Sequence, residues 1–175
     1  MNLQNDVPPP TMDLQSQHVV VTAGGTREPI DPIRFIGNRP SGEMGFALTD
    51  AARERGARVT LITTVPPPRP DAYDLVRHVE TVAEMREAVL AACRSADVLL
   101  MAAAVSDFRA ARPAAHKLKK QGQKVVLELV ENADFLLELP DTFVRWASPP
   151  KPRTYSTTRG KNSCGSVWPS FARTT

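Results

Sequence analysis

The stretch that decides the fold runs from Val19 to Phe46 and reads VVVTAGGTREPIDPIRFIGNRPSGEMGF. A short β-branched run opens onto the turn at Gly24 and Gly25, and a second turn at Ser41 precedes an apolar helical pattern. In a doubly wound α/β sheet this order of elements builds an anion pocket, because free backbone N–H groups and the N-terminus of a helix point at a phosphate. The stretch therefore predicts a phosphate-binding loop.

The glycine spacing differs from that of a dinucleotide-binding fold. A G-x-G-x-x-G fingerprint would lead directly into a helix. Here Pro29 and Pro32 forbid an immediate helix, since each lacks an N–H and restricts the residue before it. Two turns joined by a proline-stiffened loop favour a triphosphate or a phosphorylated substrate over a nicotinamide cofactor. The alternative is that Gly24 and Gly25 only turn a strand.

The chain as far as residue 145 alternates between strand and helix patterns. Thr81 to Glu84 has the sequence of a capping box, and Val98 to Ala104 is apolar at every position, as a central parallel strand requires. We expect helices at 41–55 and 81–95, strands at 59–62, 75–79 and 98–104, a hairpin of 117–119 with 125–130, and a short helix at 134–139 capped by Asn132. This order predicts an α/β fold, a three-layer Rossmann-like domain with a mostly parallel sheet and a β-hairpin flap.

Length and cysteine content place the chain in a broad class. Its 175 residues suit one domain with a substantial core. No apolar run approaches the about 20 residues that span a membrane, and the N-terminus has no signal-peptide pattern. Cys93 and Cys164 lack metal-binding spacing and indicate a reducing compartment. We expect a cytoplasmic protein with no membrane partner.

The positive charge of the chain is concentrated in its last thirty residues. Residues 146–175 carry five basic and no acidic side chains, so the chain's net charge of +3 leaves −2 for residues 1–145. Nucleic-acid binders show a basic face interleaved with aromatic residues, and this sequence has none. We therefore expect no nucleic-acid partner.

Four strings carry a specific resemblance to a known family: TAGGTREPIDPIRFIGNRPSGEMGFAL at 22–48, AAAVSDF at 102–108, KLKK at 117–120 and LVENADFL at 129–136. Together they resemble the phosphopantothenoylcysteine synthetase domain, usually the second half of the bifunctional coenzyme A biosynthesis flavoproteins, over roughly residues 18–145. Pro40 stands where the family usually has serine, and Glu43 where it often has lysine. The second change puts a negative charge near a presumed phosphate site.

The resemblance implies a reaction, its co-substrate and its partners. It implies CTP-dependent ligation of cysteine to 4′-phosphopantothenate through an acyl-cytidylate, with Mg²⁺ bridging the phosphates of CTP. It also implies a homodimer and a flavin decarboxylase as an upstream domain or separate protein. Two alternatives stay open: a non-catalytic remnant that only binds a nucleotide, and an NAD(P)-dependent Rossmann oxidoreductase.

The same resemblance assigns site residues by matching position. It implies catalytic roles for Asn38 and Lys117, which lies in the KLKK flap, and leaves metal ligands unassigned. Substrate contacts are implied for Asn38, Ser41, Gly42 and Ala104. Nucleotide contacts are implied for Gly24, Gly25, Thr26, Ala103, Ala104, Asp107, Lys117, Ala133, Asp134, Phe135 and Leu136. The residues His18, His78 and His116 share no metal-binding spacing.

The sequence divides into three segments, and the last one lacks the strand and helix patterns of the segment before it. Residues 1–17 look like a linker, 18–145 form the α/β domain, and periodicity vanishes from Trp146 onward. Codons can be chosen so that reading from the third base of the Trp146 codon spells GFAAETEDLLNYA, which resembles the family's next element. We interpret residues 146–175 as out of frame, expect a disordered tail and a missing last family strand, and expect this chain to be weak or inactive.

Overall fold

The computed structural model describes residues 12–120, 122 and 124–139, and the backbone of 144–147. Its strands are β1 His18–Ala23, β2 Arg27–Asp31, β3 Arg34–Gly37, β4 Arg58–Thr63, β5 Leu75–His78, β6 Val98–Met101, β7 Phe108–Ala110, β8 Leu129–Glu131 and β9 Val144–Ala147. The helices are α1 Glu43–Glu54 and α2 Val82–Ala92, with 3-10 turns at Pro70–Ala72 and Phe135–Glu138.

A parallel sheet forms the centre of the fold. Within the described residues its five strands follow the order β5-β4-β1-β6-β9, and each neighbouring pair is parallel. The central strand β1 aligns Val20 with Thr60 of β4 and with Leu99 of β6. The reversal of strand order beside β1 is the topology that places ligands at the carboxyl ends of the strands. The prediction of an α/β fold with a mostly parallel sheet is confirmed.

Side chains of β1 alternate between two cores, one on each face of the sheet. Val19 and Val21 pack with Phe46 of α1, whereas Val20 packs with Met85 and Val89 of α2. This alternation follows from the two-residue period of a strand. Because both faces are covered, the β-branched run of β1 is apolar on both sides and lies at the centre of three layers.

Two antiparallel hairpins, β2–β3 and β7–β8, lie outside the sheet. The first occupies the segment that the prolines were expected to keep as a loop. The predicted pairing of 117–119 with 125–130 is wrong: β8 pairs with β7, aligning Glu131 with Phe108, and Lys117 and Lys119 lie in the connection between the two strands. The reason is that the backbone of Leu118 bonds to the side chains of Asp31 and Arg34 instead of a partner strand.

The two helices begin in different ways. Helix α1 begins after Gly42, whose φ of +84° favours glycine, and Ser41 accepts only a long 3.4 Å bond from the N–H of Glu43. Ser41 is therefore not the predicted cap. Helix α2 has the predicted capping box, in which the Thr81 hydroxyl accepts from the N–H of Glu84 at 3.2 Å.

The predicted final helix is a short 3-10 turn with a different cap. Its carboxylate cap is Asp134, which accepts from the N–H of Leu136 at 3.0 Å. Asn132, the predicted cap, instead donates its side-chain amide to the carbonyl of Ser106 at 2.9 Å. The amide therefore joins two segments instead of starting a helix.

Both ends of the described domain extend past the predicted boundaries. Residues 1–11 of the predicted linker lie outside the described residues, but Leu14 packs against the α1-side core and its N–H donates to Arg55 at 3.0 Å. At the other end, β9 includes Trp146 and Ala147. Residues 148–175, and the expectation of a missing last strand, lie outside the described residues. Neither described helix is long and apolar enough to cross a membrane.

We predict that Leu99→Ala lowers the free energy of unfolding by about 2–5 kcal/mol, because Leu99 is 0% exposed at the centre of the sheet. Leu75→Ala is the matched control, since Leu75 is 57% exposed on the edge strand β5 and should cost about 0.5 kcal/mol or less. Urea denaturation measures both. Equal losses would contradict the assigned core.

Candidate functional site

The two segments that leave β1 and β6 are bonded to each other at one end of the sheet. Gly25 and Ala104 form an isolated parallel bridge, in which the N–H of Ala104 donates to Gly24 at 2.8 Å and the N–H of Thr26 donates to Ala104 at 3.1 Å. The N–H of Gly25 donates to the hydroxyl of Thr64 at 2.7 Å. The expectation of a free N–H at Gly25 is therefore wrong, because these N–H groups fasten the loop to the sheet.

Glycine is required at both turn positions by close neighbours. Gly24 has a φ of +85°, and a Cβ there would lie 2.2 Å from the Thr64 hydroxyl. A Cβ on Gly25 would lie 2.6 Å from Cδ of Pro40, whose ring covers this glycine. The alternative of a purely structural role describes Gly24 well, whereas Gly25 also lines a cleft.

The first cleft, of about 570 Å³, lies between the glycine turn and the start of α1. It brings together Gly25, Asn38 and Ser41, which the sequence had singled out separately. Gly42 is buried behind Ser41 as the cap of α1. Two of the four predicted substrate residues, Asn38 and Ser41, therefore share one opening, whereas Gly42 and Ala104 do not line it.

The first cleft is positively charged. Arg27 and Arg39 line it, and none of the described residues that line it is acidic. The guanidinium of Arg27 stands over the ring of Phe35, 5.0 Å from its centre, which holds the charge at the edge of the opening. Sequence reasoning missed both arginines, although their position inside the glycine-rich stretch was a usable signal. The charge suits an anionic ligand.

The second cleft, of about 250 Å³, lies beyond the end of β6. It brings Asp107 together with the run Ala133–Leu136, all of which the resemblance assigns to nucleotide contact. Asn132 builds this cleft, because its N–H donates to Asp107 at 2.8 Å and its side chain donates to Ser106. The cleft therefore unites five of the predicted nucleotide residues.

A buried pair of hydroxyls connects the two loops. The N–H of Ser106 donates to the hydroxyl of Thr26 at 2.8 Å, and the two hydroxyl oxygens are 3.2 Å apart. Thr26 is 0% exposed, and its hydroxyl is bonded to Ser106. The nucleotide contact of Thr26 stays a prediction, and in the structure its side chain connects the two loops.

Two other predicted nucleotide residues, Phe135 and Ala103, make contacts that stabilise the fold. Phe135 lines the second cleft, but it is only 2% exposed and packs in the α2-side core. The N–H of Ala103 donates to the hydroxyl of Thr22 at 3.1 Å. Neither Ala103 nor Ala104 lines either cleft. Small side chains at these positions allow the two strand ends to approach.

Lys117 is exposed and lines neither cleft. The next residue, Leu118, is held through both backbone groups by Asp31 and Arg34. The Arg34 guanidinium, opposed by burial, holds the pKa of the Asp31 carboxyl well below its usual range. The predicted catalytic lysine therefore precedes a residue whose backbone is hydrogen-bonded to the β2–β3 hairpin.

Among the described residues, no group of three or more histidine, cysteine, aspartate or glutamate side chains is arranged so that it could hold a metal ion. His18 lies at the opposite end of the sheet, and its Nδ1 and Nε2 are each 2.9 Å from a protein oxygen, those of Ser95 and Thr60. Burial raises the pKa of the Cys93 thiol to about 11, so it is not a thiolate near neutral pH.

Comparison with known proteins gives consistent matches. Residues 14–144 match the family described as the DNA/pantothenate metabolism flavoprotein C-terminal domain. The chain is similar to the coenzyme A biosynthesis bifunctional protein CoaBC of Mycobacterium tuberculosis, with 48% identity over 128 residues that cover 71% of this chain and 30% of the relative. The chain thus spans about a third of the length of the curated relatives it matches.

Solved structures agree with this match. The crystal structure of the C-terminal domain of CoaBC superposes with a TM-score of 0.61 at 35% identity, covering 75% of this chain and 63% of that one. A Cab2 variant in complex with phosphopantothenate-cysteine superposes with a TM-score of 0.62 at 19% identity, covering 73% of this chain and 60% of that one. The second likeness shows the fold alone.

We predict that Asp31 makes stability depend on pH in the acid range. Its carboxylate is favoured in the folded state, so its contribution is complete above the ordinary pKa of 3.8 and is lost as the pH falls toward the lowered folded-state value. Urea denaturation of the wild type and Asp31→Asn should give a constant difference from about pH 7 to pH 5 that shrinks below about pH 4. A difference that does not change with pH would contradict the ion pair.

Proposed function

Because the chain belongs to the family of the DNA/pantothenate metabolism flavoprotein C-terminal domain, we propose that it derives from a ligase that joins cysteine to 4′-phosphopantothenate in coenzyme A biosynthesis. The observation that carries the proposal is the pair of clefts at one end of the sheet, connected through Gly25 and Ala104. One cleft is cationic and contains Asn38, and the other contains Asp107 and the start of a 3-10 turn.

The proposed reaction uses CTP and has two steps. An oxygen of the phosphopantothenate carboxylate attacks the α-phosphorus of CTP, a P–O bond forms, and the bond to the departing pyrophosphate breaks. The neutral amine of cysteine then attacks the acyl carbon, releases CMP and loses its extra proton as the amide forms. Orientation and neutralisation of phosphate charge supply the rate enhancement.

The charges of the clefts suggest where each part of the reactants binds. We assign the phosphates and the acyl group to the first cleft, where Arg27 and Arg39 provide positive charge and Asn38 provides a neutral amide. We assign the nucleoside to the second cleft, where the exposed Asp107 can accept a hydrogen bond from ribose or base. Glu43, at the start of α1, opposes phosphate binding at that helix and leaves the arginines to provide the charge.

Magnesium fits this arrangement as an ion held mainly by CTP. A magnesium ion in such sites keeps several waters and binds one or two carboxylates with the substrate phosphates. Asp107, with Asp134 in the same cleft, would hold it beside the phosphate nearest the nucleoside, and the ion would neutralise phosphate charge during transfer. Lys117 would add a further positive charge once a ligand spans the two clefts.

The remaining assignments are proposals that rest on the family. We propose a homodimer in the cytoplasm, supplied with substrate by a flavin decarboxylase domain or protein. We also propose that residues 146–175 are out of frame, which is supported by the end of the family match at Val144. This chain would then be a weak or inactive form of the ligase.

Two alternatives differ from the proposal in the ligand that they bind. An NAD(P)-dependent oxidoreductase would need the N-terminus of a helix directly after the glycine turn, whereas here the β2–β3 hairpin intervenes and α1 begins at Glu43. A non-catalytic remnant would keep the fold with a nucleotide site but no turnover. Ligand binding and turnover therefore have to be measured separately.

We predict that CTP, and not NADPH, raises the melting temperature of this chain. A ligand at 100 times its dissociation constant stabilises the folded state by about 2.7 kcal/mol, which shifts the melting temperature by several degrees. Differential scanning fluorimetry with each nucleotide at equal concentration measures the shift. Stabilisation by NADPH alone would favour the oxidoreductase, and the absence of any shift would contradict the nucleotide site.

We predict that the 175-residue chain releases CMP from CTP, phosphopantothenate and cysteine much more slowly than a version with the reading frame restored after Arg145. The reason is that the out-of-frame segment replaces residues that would complete the nucleotide pocket. Chromatographic measurement of CMP under identical conditions compares the two, with cysteine omitted as the blank. Equal turnover would show that residues 146–175 are native.

A further inference from the structure

We infer that Asp31 is a positioning residue that anchors the connection between β7 and β8 at Leu118 and thereby sets the position of Lys117. The connection carries three lysines in four residues, Lys117, Lys119 and Lys120. The anchor goes beyond the proposed function, because it assigns a role to a buried carboxylate that lines neither of the two clefts described above.

Asp31 accepts hydrogen bonds from residues of its own turn and from one residue that is distant in sequence. Oδ1 accepts from the N–H groups of Ile33 and Arg34 at 3.0 and 2.9 Å, which closes the turn between β2 and β3. Oδ2 accepts from Nε of Arg34 at 2.8 Å and from the N–H of Leu118 at 3.1 Å. Leu118 is 87 residues away in sequence, so its bond to Asp31 does more than form the turn.

Arg34 completes the anchor from the other side of the same peptide unit. Its guanidinium donates to the carbonyl of Leu118 at 2.7 Å while it pairs with the carboxylate of Asp31. A second bond lies four residues earlier, where the N–H of Ala114 donates to the carbonyl of Ile30 at 2.8 Å. The segment 114–118 is therefore fastened along the end of β2 at two points.

Fixing Leu118 restricts the residues on either side of it. Consecutive Cα atoms are 3.8 Å apart, so Lys117 and Lys119 can change side-chain rotamer but their backbone cannot move far. A charge held in place needs less ordering when a phosphate binds than a charge on a free loop would. Asp31 is 3% exposed, so it acts on a ligand through the lysines and not by contact.

Only the identity of the ligand near Lys117, CTP, rests on the proposed function. The anchor is a statement about the backbone of Leu118 and holds whether or not CTP binds. Two experiments separate these parts. The first measures protection of the Leu118 amide without any ligand, and the second measures whether Asp31 affects nucleotide binding through Lys117.

The first experiment is amide hydrogen exchange of the full chain in its wild-type, Asp31→Asn and Asp97→Asn forms. Asp97 is the matched control, since its carboxylate accepts from the backbone N–H of His18 at 2.7 Å, far from the connection in sequence. Because hydrogen bonds to charged groups are the stronger ones, we expect Asp31→Asn to speed exchange at Leu118 about tenfold or more and to leave β1 unchanged. Asp97→Asn should leave Leu118 unchanged. Unaltered exchange at Leu118, or equal acceleration throughout β1, would overturn the anchor.

The second experiment measures CTP affinity by calorimetry for Asp31→Asn, Lys117→Ala and the double variant, with Lys124→Ala as the control for an exposed lysine in the same connection. If Asp31 acts through Lys117, each single change weakens binding, and the double variant binds no more weakly than Lys117→Ala. Losses that simply multiply would overturn the coupling. Absence of CTP binding by the wild type would contradict the proposed function, and hydrogen exchange would then decide the anchor alone.

Discussion

The pairing between the segments that follow β1 and β6 is the constraint on which the rest of the site depends. Gly25 and Ala104 continue the parallel sheet by one bridge after both strands have ended. The buried bonds between Thr26 and Ser106 extend this contact. These bonds determine where the two clefts open, because Gly25 lines the first cleft and Ser106 the second. Only glycine fits at the turn, since a Cβ on Gly24 or Gly25 would collide with neighbouring atoms.

The charges of the site are held by structure outside the sheet. Arg27 lies on the β2–β3 hairpin over Phe35, and Asp31 ties the same hairpin to the lysine-bearing connection at Leu118. Buried Glu28 accepts from the N–H of Val82 at 2.8 Å, which joins the hairpin to the start of α2. One short hairpin thus connects the cationic cleft, the connection with its lysines and the second helix. Because no residue of the hairpin belongs to either core, its buried carboxylates Glu28 and Asp31 hold it in place.

The sequence predicts those features that depend on local patterns. The β-branched run of β1 and the capping box at Thr81 are set by neighbouring residues, and both are present. The predicted pairing of 117–119 with 125–130 does not form, because Leu118 bonds instead to Asp31, a residue far away in sequence. In the same way, Phe135 belongs to the core because α2 covers it, which no motif states. Asn38 and Ser41 could be identified from the family resemblance, whereas their shared cleft with Arg39 required the fold.

In the proposed function, the two clefts form one nucleotide site joined at the Gly25–Ala104 bridge. The most direct measurement is an NMR titration of the isotope-labelled chain with CTP and magnesium, followed through the backbone amides. We expect the amides of Gly25, Asn38, Asp107 and the run Ala133–Leu136 to shift together with one dissociation constant. Shifts confined to one cleft, or centred on His18 at the opposite end of the sheet, would contradict it.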